Sequence, residues 1–266
     1  MKWYFFYSSI PALLLALNTQ AFSQPTEHQL LPPFFSASGN WFVTLGAGEQ
    51  YPQWNNPIRV NTDLAAPYNK DYYSTQNKNK PVLALSLGRR WKREDFWLPA
   101  YSFGVFWQYF YRTNLGHNIA VHSPPAVTNY SYNWQLTSNL LLASAKLNLF
   151  QYGTLSPYVN GGIGSSFNRT SGYTERALPG VTARVSPAFP KFSTSEFSYH
   201  VGVGLDLQVM PQLIASLGYI YQDLGPTSSG PGKGIWSNQS LNPGSYRSNE
   251  ILISLSYLFG EKNNVK

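Results

Sequence analysis

The sequence contains no cysteine and few charged residues. The absence of cysteine from the 266 residues excludes disulfide bonds, thiol nucleophiles, cysteine-ligated metals and a lipid anchor on cysteine. Charged residues make up 12% of the chain, about half of their share in an average domain, whereas aromatic residues make up 16%. A water-facing exterior normally carries more charge, so we expect that much of the surface does not face water.

The chain beyond its first two dozen residues also lacks a long apolar run and any helical periodicity. No membrane-spanning helix is therefore predicted there. The net charge of +7 is not concentrated in a basic run or in a helix that interleaves arginine with aromatic residues. Nucleic-acid binding is accordingly not predicted, and no motif indicates a cofactor or a metal site.

Residues 1–23 have the features of a secretory signal peptide. Lys2 supplies a positive charge, residues 10–17 form a short apolar core, and Ala21-Phe22-Ser23 is a cleavage pattern of small residues. A membrane-anchoring helix is the alternative, but the apolar core is well short of the roughly 18 residues that such a helix needs. Export from the cytoplasm is therefore expected.

Alternation of apolar and polar residues with a period of two dominates the rest of the chain and predicts β-strands. The clearest example is 195–209, where Phe197, Val203 and Val209 lie on one face and His200 and Asp206 on the other. The predicted strands are 40–48, 81–91, 100–112, 132–150, 156–167, 195–209, 212–222 and 248–259. The connections between them alternate between long and short, which is typical of outer-membrane β-barrels.

Alternation alone does not say which strand face points to the barrel axis. A soluble lipocalin-like barrel would be apolar inside, whereas a membrane barrel is apolar outside. The polar faces here are rich in Gly, Ser, Asn and Gln and poor in charge, and aromatic residues crowd the strand ends, as they do in interfacial girdles. The apolar stripes have the length of a tilted spanning strand, about 9–11 residues. These features favour the membrane barrel.

The last strand carries the most specific resemblance. Its pattern Ile251-x-Ile253-x-Leu255-x-Tyr257-x-Phe259 resembles the C-terminal strand of outer-membrane barrels. The whole of 39–259 resembles the small eight-stranded opacity-protein and outer-membrane-protein-A-like barrels. The resemblance implies an all-β, closed, antiparallel up-and-down transmembrane β-barrel with four long outer loops and short periplasmic turns. It also implies that Tyr257 and Phe259 form the signal read by the barrel-assembly machinery.

The predicted organisation follows from these observations. The segments are a signal peptide (1–23), a periplasmic N-terminal segment (24–38), the transmembrane barrel (39–259) and a short periplasmic tail (260–266). The expected location is the outer membrane of a Gram-negative bacterium. An eight-stranded barrel has an interior that side chains just fill, so a wide aqueous channel is not expected.

Several polar residues fall on the predicted lumen faces. Because interior charges need partners, a lumen network is predicted that contains Arg90, Lys146, Asn148, His200 and Asp206. His200 and Asp206 are six positions apart on one strand, about 20 Å by strand rise, so they cannot form a dyad within that strand. A lipid A-modifying hydrolase or acyltransferase in which His200 takes a partner from another strand remains an alternative. A packed lumen histidine is favoured over it.

The long loops are the expected functional surface, because binding residues concentrate on loops held by a rigid scaffold. Arg169, Arg176, Arg184 and Lys191 are predicted to contact lipopolysaccharide phosphates or an anionic host or surface ligand. Ordinary solvated charges are the alternative. The predicted function is a non-enzymatic outer-membrane protein with a structural, adhesion or surface-interaction role, in contact with outer-membrane lipid. A narrow channel for small hydrophobic solutes is the remaining alternative.

Overall fold

The computed structural model describes residues 39–54, 57–62, 64–66, 69–93, 98–121, 128–185 and 188–260. The predicted signal peptide, the segment 24–38 and residues 261–266 of the predicted tail lie outside the described residues. No helix in the described ranges is long and apolar enough to cross a membrane.

Eight long antiparallel strands form a closed barrel. They are β1 (Asn40–Gln53), β4 (Lys80–Lys92), β5 (Ala100–Asn114), β7 (Tyr130–Asn148), β8 (Leu155–Ala177), β9 (Phe192–Met210), β10 (Leu213–Thr227) and β11 (Gly244–Phe259). Each pairs with its neighbours in the order β7-β5-β4-β1-β11-β10-β9-β8, and a β7–β8 ladder closes the ring. The first and last strands pair through Trp41↔Phe259, so the predicted closed up-and-down barrel of eight strands is confirmed.

The outward face of the barrel is apolar and the lumen side is buried. Leu45, Phe197 and Ile253 are 65%, 68% and 63% exposed, whereas the residues that alternate with them point inward. Closed strand pairing leaves no backbone edge, which is the requirement for a structure that crosses lipid. The chain is therefore a transmembrane β-barrel, and the soluble, apolar-inside alternative is wrong.

The strands extend well beyond the apolar band at the end that carries the long connections. Three further strands, β2 (Ile58–Asn61), β3 (Lys70–Thr75) and β6 (Gly116–Ala120), add to the end of β7 in the order β2-β3-β6-β7. A short 3₁₀ helix, Gly234–Trp236, lies in the connection between β10 and β11. Segments predicted as open loops thus contain secondary structure, and together they form what we call the cap.

A hydrophobic core fills the cap and continues into the barrel. Tyr73, Trp134 and Leu241 are fully buried in the cap, and the same cluster of contacts reaches Phe106 and Leu252 inside the barrel. The long connections at this end were expected to be exposed loops. The difference arises because the connections supply enough apolar side chains to bury one another.

Candidate functional site

The lower polar layer lies inside the barrel near the short turns and is centred on Asp206 of β9. Its carboxylate accepts a hydrogen bond from Lys146 Nζ (2.5 Å), one from Asn148 Nδ2 (2.9 Å) and one from Ser216 Oγ (2.7 Å). Arg90 Nη1 is 3.8 Å from the same carboxylate. Four of the five residues predicted for a lumen network are therefore together, on three different strands, and Ser216 of β10 joins them.

His200 does not belong to that layer. Its ring packs edge-on against Phe106, with centroids 4.9 Å apart, and its side chain is almost completely buried. Neither ring nitrogen has a hydrogen-bond partner among the described residues. The described residues also contain no group of three or more His, Cys, Asp or Glu side chains that could hold a metal ion. Among the described residues, no side chain is therefore hydrogen-bonded to His200.

An upper polar layer, which sequence analysis missed, crosses the lumen closer to the cap. The carboxylate of Glu250 on β11 accepts hydrogen bonds from Gln108 Nε2 of β5 (2.5 Å) and Gln222 Nε2 of β10 (2.8 Å). Gln50 of β1 accepts hydrogen bonds from the hydroxyls of Tyr246 and Ser248. Because β5 and β11 are not neighbours, the Gln108–Glu250 bond spans the interior. This layer could have been predicted from the positions of Gln50, Gln108 and Gln222, which fall on the inward-facing side of the alternating strand pattern.

The two layers bound a small chamber of about 90 Å³ in the middle of the lumen. Arg90 and Lys146 lie at one end of it, and Phe106, Ile220 and Leu252 line its walls. Above the upper layer the apolar core of the cap begins. Within the described residues, packed side-chain layers thus occupy the lumen above and below this chamber.

A buried ion-pair cluster, the cap lock, joins three separate segments of the cap. Arg184 pairs with Asp71 of β3 (2.9 Å) and with Glu175 of β8 (2.7 Å). Its guanidinium also lies over the rings of Tyr130 and Trp236, about 5 Å from each centroid. Arg184 was predicted to contact an anionic ligand. Its charge is instead satisfied by two carboxylates inside the protein.

Electrostatics within the cap lock follow from its burial. Burial raises the pKa of the Glu175 carboxyl, and Arg184 partly offsets this effect. Burial by itself lowers the pKa of Arg184, but Asp71 and Glu175 outweigh it and hold that pKa above its ordinary value. The guanidinium therefore keeps its charge, and it cross-links the cap through the two carboxylates.

The other three predicted loop cations are exposed. Arg169 lies on β8 two residues beyond lipid-facing Phe167, and it is in register with Ser193 of β9. Lys191 precedes β9 directly and is also exposed, so the two cations lie on one side of the barrel at the upper limit of the apolar band. We call Arg169 and Lys191 the rim cations. Arg176 lies farther along β8, on the outer surface of the cap.

The predicted assembly signal lies where the resemblance requires. Tyr257 and Phe259 project outward from the end of β11, and their rings contact each other with centroids 4.8 Å apart. They belong to an aromatic girdle at the short-turn end that also contains Trp41. Recognition by the assembly machinery stays a prediction.

The fold and the site together define an eight-stranded outer-membrane-type barrel with polar layers in its lumen and a folded cap. No protein-family model and no curated protein matches the chain. Among solved structures it is similar to Neisserial surface protein A, with 15% identity, a TM-score of 0.43, and coverage of 82% of this chain and 97% of that one.

Two further barrels show a similar likeness. The outer membrane protein OprG of Pseudomonas aeruginosa has 12% identity and a TM-score of 0.45, over 83% of this chain and 96% of that one. Ail, the attachment invasion locus protein of Yersinia pestis, was solved with the heparin analogue sucrose octasulfate; it has 14% identity and a TM-score of 0.38, over 83% and 99%. The likeness concerns the barrel and assigns no ligand.

Proposed function

We propose that this protein is an exported, non-enzymatic protein of the Gram-negative outer membrane whose cap binds anionic groups at the cell surface, foremost the phosphates of lipopolysaccharide. The signal peptide would direct export, and Tyr257 and Phe259 would engage the barrel-assembly machinery. The observation that carries the proposal is the imbalance of exposed charge at the long-loop end of the molecule.

Exposed cations at this end are numerous and, within the described residues, form no ion pair. They are Arg59, Lys70, Lys78, Arg112, Arg169, Arg176, Lys191 and Lys233. Fewer acidic residues are exposed there: Asp71 and Glu175 are held in the cap lock, Asp223 pairs with Arg247, and Glu250 is buried, whereas Glu49 is exposed and Glu196 is half-buried. An outer surface of this kind attracts anions.

The position of the rim cations favours lipopolysaccharide over a soluble polyanion. Arg169 lies two residues beyond lipid-facing Phe167 and pairs with Ser193, which is two residues from Lys191, so both cations lie at the level where lipid head groups meet water. Arginine and lysine both bind phosphate through charge-assisted hydrogen bonds. A soluble polyanion would instead be expected to engage the top of the cap, where Arg176 lies.

Binding of the detergent-purified protein to lipopolysaccharide-containing vesicles tests the proposal. The double variant Arg169→Ala/Lys191→Ala should weaken binding and reduce its dependence on salt, because each lost phosphate contact lowers the salt sensitivity of binding. Arg176→Ala should change vesicle binding less and heparin-column retention more. Lys92→Ala at the opposite end of the barrel is the matched control. Vesicle binding that survives the double variant would count against the proposal.

A lipid A-modifying enzyme remains the alternative activity. Mass spectrometry of lipid A from a strain that lacks the protein distinguishes the two functions. An unchanged acyl pattern removes the enzyme, and a changed pattern that is restored by the wild type but not by His200→Asn would replace our proposal.

A further inference from the structure

The chamber between the two polar layers has an unbalanced charge at its lower end. Arg90 and Lys146 both line it, and the carboxylate within ion-pair distance of both is the single one of Asp206. Two cations thus share one anion in a water-poor interior, where an uncompensated charge is costly. The Nε atom of Arg90 is buried and has no hydrogen-bond partner.

Unused hydrogen-bonding capacity is also present along the side of the chamber. Both ring nitrogens of His200 and the Oδ1 atom of Asn160 line the chamber, are buried and have no partner among the described residues. Buried polar groups in native proteins are nearly always paired with protein, water or a ligand. These atoms therefore indicate that the chamber has polar contents.

The rest of the wall is largely apolar. Phe106, Ile220 and Leu252 line the part of the chamber toward the upper polar layer, whereas Phe42, Ile214 and Leu258 line the part beside Arg90. Water alone would satisfy His200 and Asn160, but it would leave both the excess charge and much of this apolar surface without a partner. A molecule with one anionic end and one apolar end would match both.

Access is from the short-turn end. A second, smaller depression at that end is lined by Lys92, Gln208, Arg90 and Ile214. Arg90 and Ile214 line both spaces. An anion that entered the mouth of the barrel would pass Lys92 and the Asp206 carboxylate, which also lines the depression, before it reached Arg90 in the chamber. Toward the cap, the upper polar layer crosses the lumen beyond Phe106 and Leu252.

We propose that the lumen is a binding site for a short-chain monocarboxylate, held by Arg90 and Lys146 at its carboxylate and by the apolar wall at its alkyl tail. One monocarboxylate brings the lower layer to two cations and two anions. The chamber is smaller than the roughly 150 Å³ of a cavity that admits benzene, so the tail is limited to a few carbons. This site is independent of the cap cations and of their proposed ligand.

Calorimetric titration of the full-length, detergent-folded protein with butyrate tests the inference. Saturable binding of butyrate is expected, with neither butanol nor chloride binding comparably. Arg90→Gln should weaken binding about tenfold to a hundredfold, the loss that corresponds to one hydrogen bond to a charged group. Arg89→Gln is the matched control, because Arg89 is the adjacent residue and lies over the ring of Trp41 outside the lumen.

A second variant covers the case in which Arg90→Gln fails to fold, as judged by heat-modifiable migration on a gel. Ser144→Leu leaves the lower layer intact but places a larger side chain on the chamber wall, and it should abolish butyrate binding. Absence of saturable butyrate binding to the wild type would overturn the inference and leave a water-filled chamber. So would butanol binding equal to butyrate, or an equal loss in Arg89→Gln.

Discussion

The same strands form the barrel wall and the cap, but they turn different side chains inward in the two regions: polar ones in the wall and apolar ones in the cap. In the wall, Ile163 of β8 faces lipid and the polar side chains point inward; in the cap, Tyr173 of the same strand points inward and Arg176 faces water. The hydrophobic effect drives burial only where the surroundings are water, so the wall is free to turn its apolar face outward and the cap is not. The boundary between lipid and water therefore determines whether the apolar side chains of each strand point outward or inward.

The change from wall to cap coincides with irregularities in the ladders. Register shifts occur between Phe110 and Thr113 on β5, between Asp223 and Pro226 on β10, and opposite Gly172 on β8. An extra residue in one strand exchanges which side chains point inward. Each shift falls just above the apolar band, so the bulges rephase the strands for their new surroundings.

The largest expected effect comes from truncating the core where cap and barrel meet. Trp134→Ala removes a fully buried side chain and should lower the free energy of unfolding by about 3–5 kcal/mol. Trp107→Ala, on the lipid-facing side of β5, should cost much less, because lipid fills the vacated space. Denaturant titrations followed by gel migration measure both. Equal losses of stability in the two variants would show that the cap does not contain a hydrophobic core like that of a water-soluble protein.

A charge placed on each outer surface tests the opposite property. Leu255→Arg puts a cation in the middle of the lipid-facing stripe of β11 and should cost about 2–4 kcal/mol. Thr174→Arg, on the exposed face of the cap, should change stability by no more than about 0.5 kcal/mol. The same titrations apply. If Thr174→Arg proved as costly as Leu255→Arg, the assignment of that face to water would fail.

A smaller loss of stability is expected from a substitution at Gly172, in the bulge where β8 passes from the wall into the cap. Gly172 has a φ of +64°, a conformation that costs a residue with a side chain about 1–2 kcal/mol. Gly172→Ala should destabilise the protein by that amount, whereas Gly161→Ala, within the wall on the same strand, should be nearly neutral because its Cβ would make only an ordinary contact, 3.6 Å from the His200 carbonyl oxygen. Equal stabilities of the two variants would argue that the bulge does not depend on this residue.

The wall could be predicted from the sequence because each strand meets two different environments and its alternation reports both. The segment from Phe197 to Val209 was assigned to the correct faces for this reason. Alternation fails where the phase changes, and the predicted strands accordingly stop near Tyr111, Phe167 and Gln222. The cap also depends on partners far apart in sequence, such as Asp71 and Arg184, which no local pattern brings together.

The lumen was predicted in part for the same reason. Lys146 and Asp206 lie on inward faces and carry opposite charges, so their pairing could be expected from the sequence. Glu250 could not be placed in the same way, because its partners are neutral amides and it has no opposite charge to suggest a contact. His200 shares their face, but it lies six positions from Asp206 on the same strand, about 20 Å by strand rise, and its ring packs against Phe106 instead.

The smallest expected effect is a pH-dependent change in stability that comes from the cap, through the buried carboxyl of Glu175. The ordinary pKa of a glutamate is 4.5, and burial raises that of Glu175. As pH rises through 4.5 the unfolded chain loses this proton before the folded protein does, so Glu175 makes folding less favourable with rising pH. Glu175→Gln cannot ionise and keeps an amide oxygen for Arg184, so this loss is absent in the variant. The stability of Glu175→Gln relative to the wild type should therefore increase between about pH 4 and about pH 7, as measured by denaturant titration at each pH.

Thr174→Ala, the neighbouring change that removes no titratable group, should follow the wild type throughout. A stability difference between Glu175→Gln and the wild type that did not vary with pH would mean that the carboxylate in the cap lock is as well accommodated as one in water.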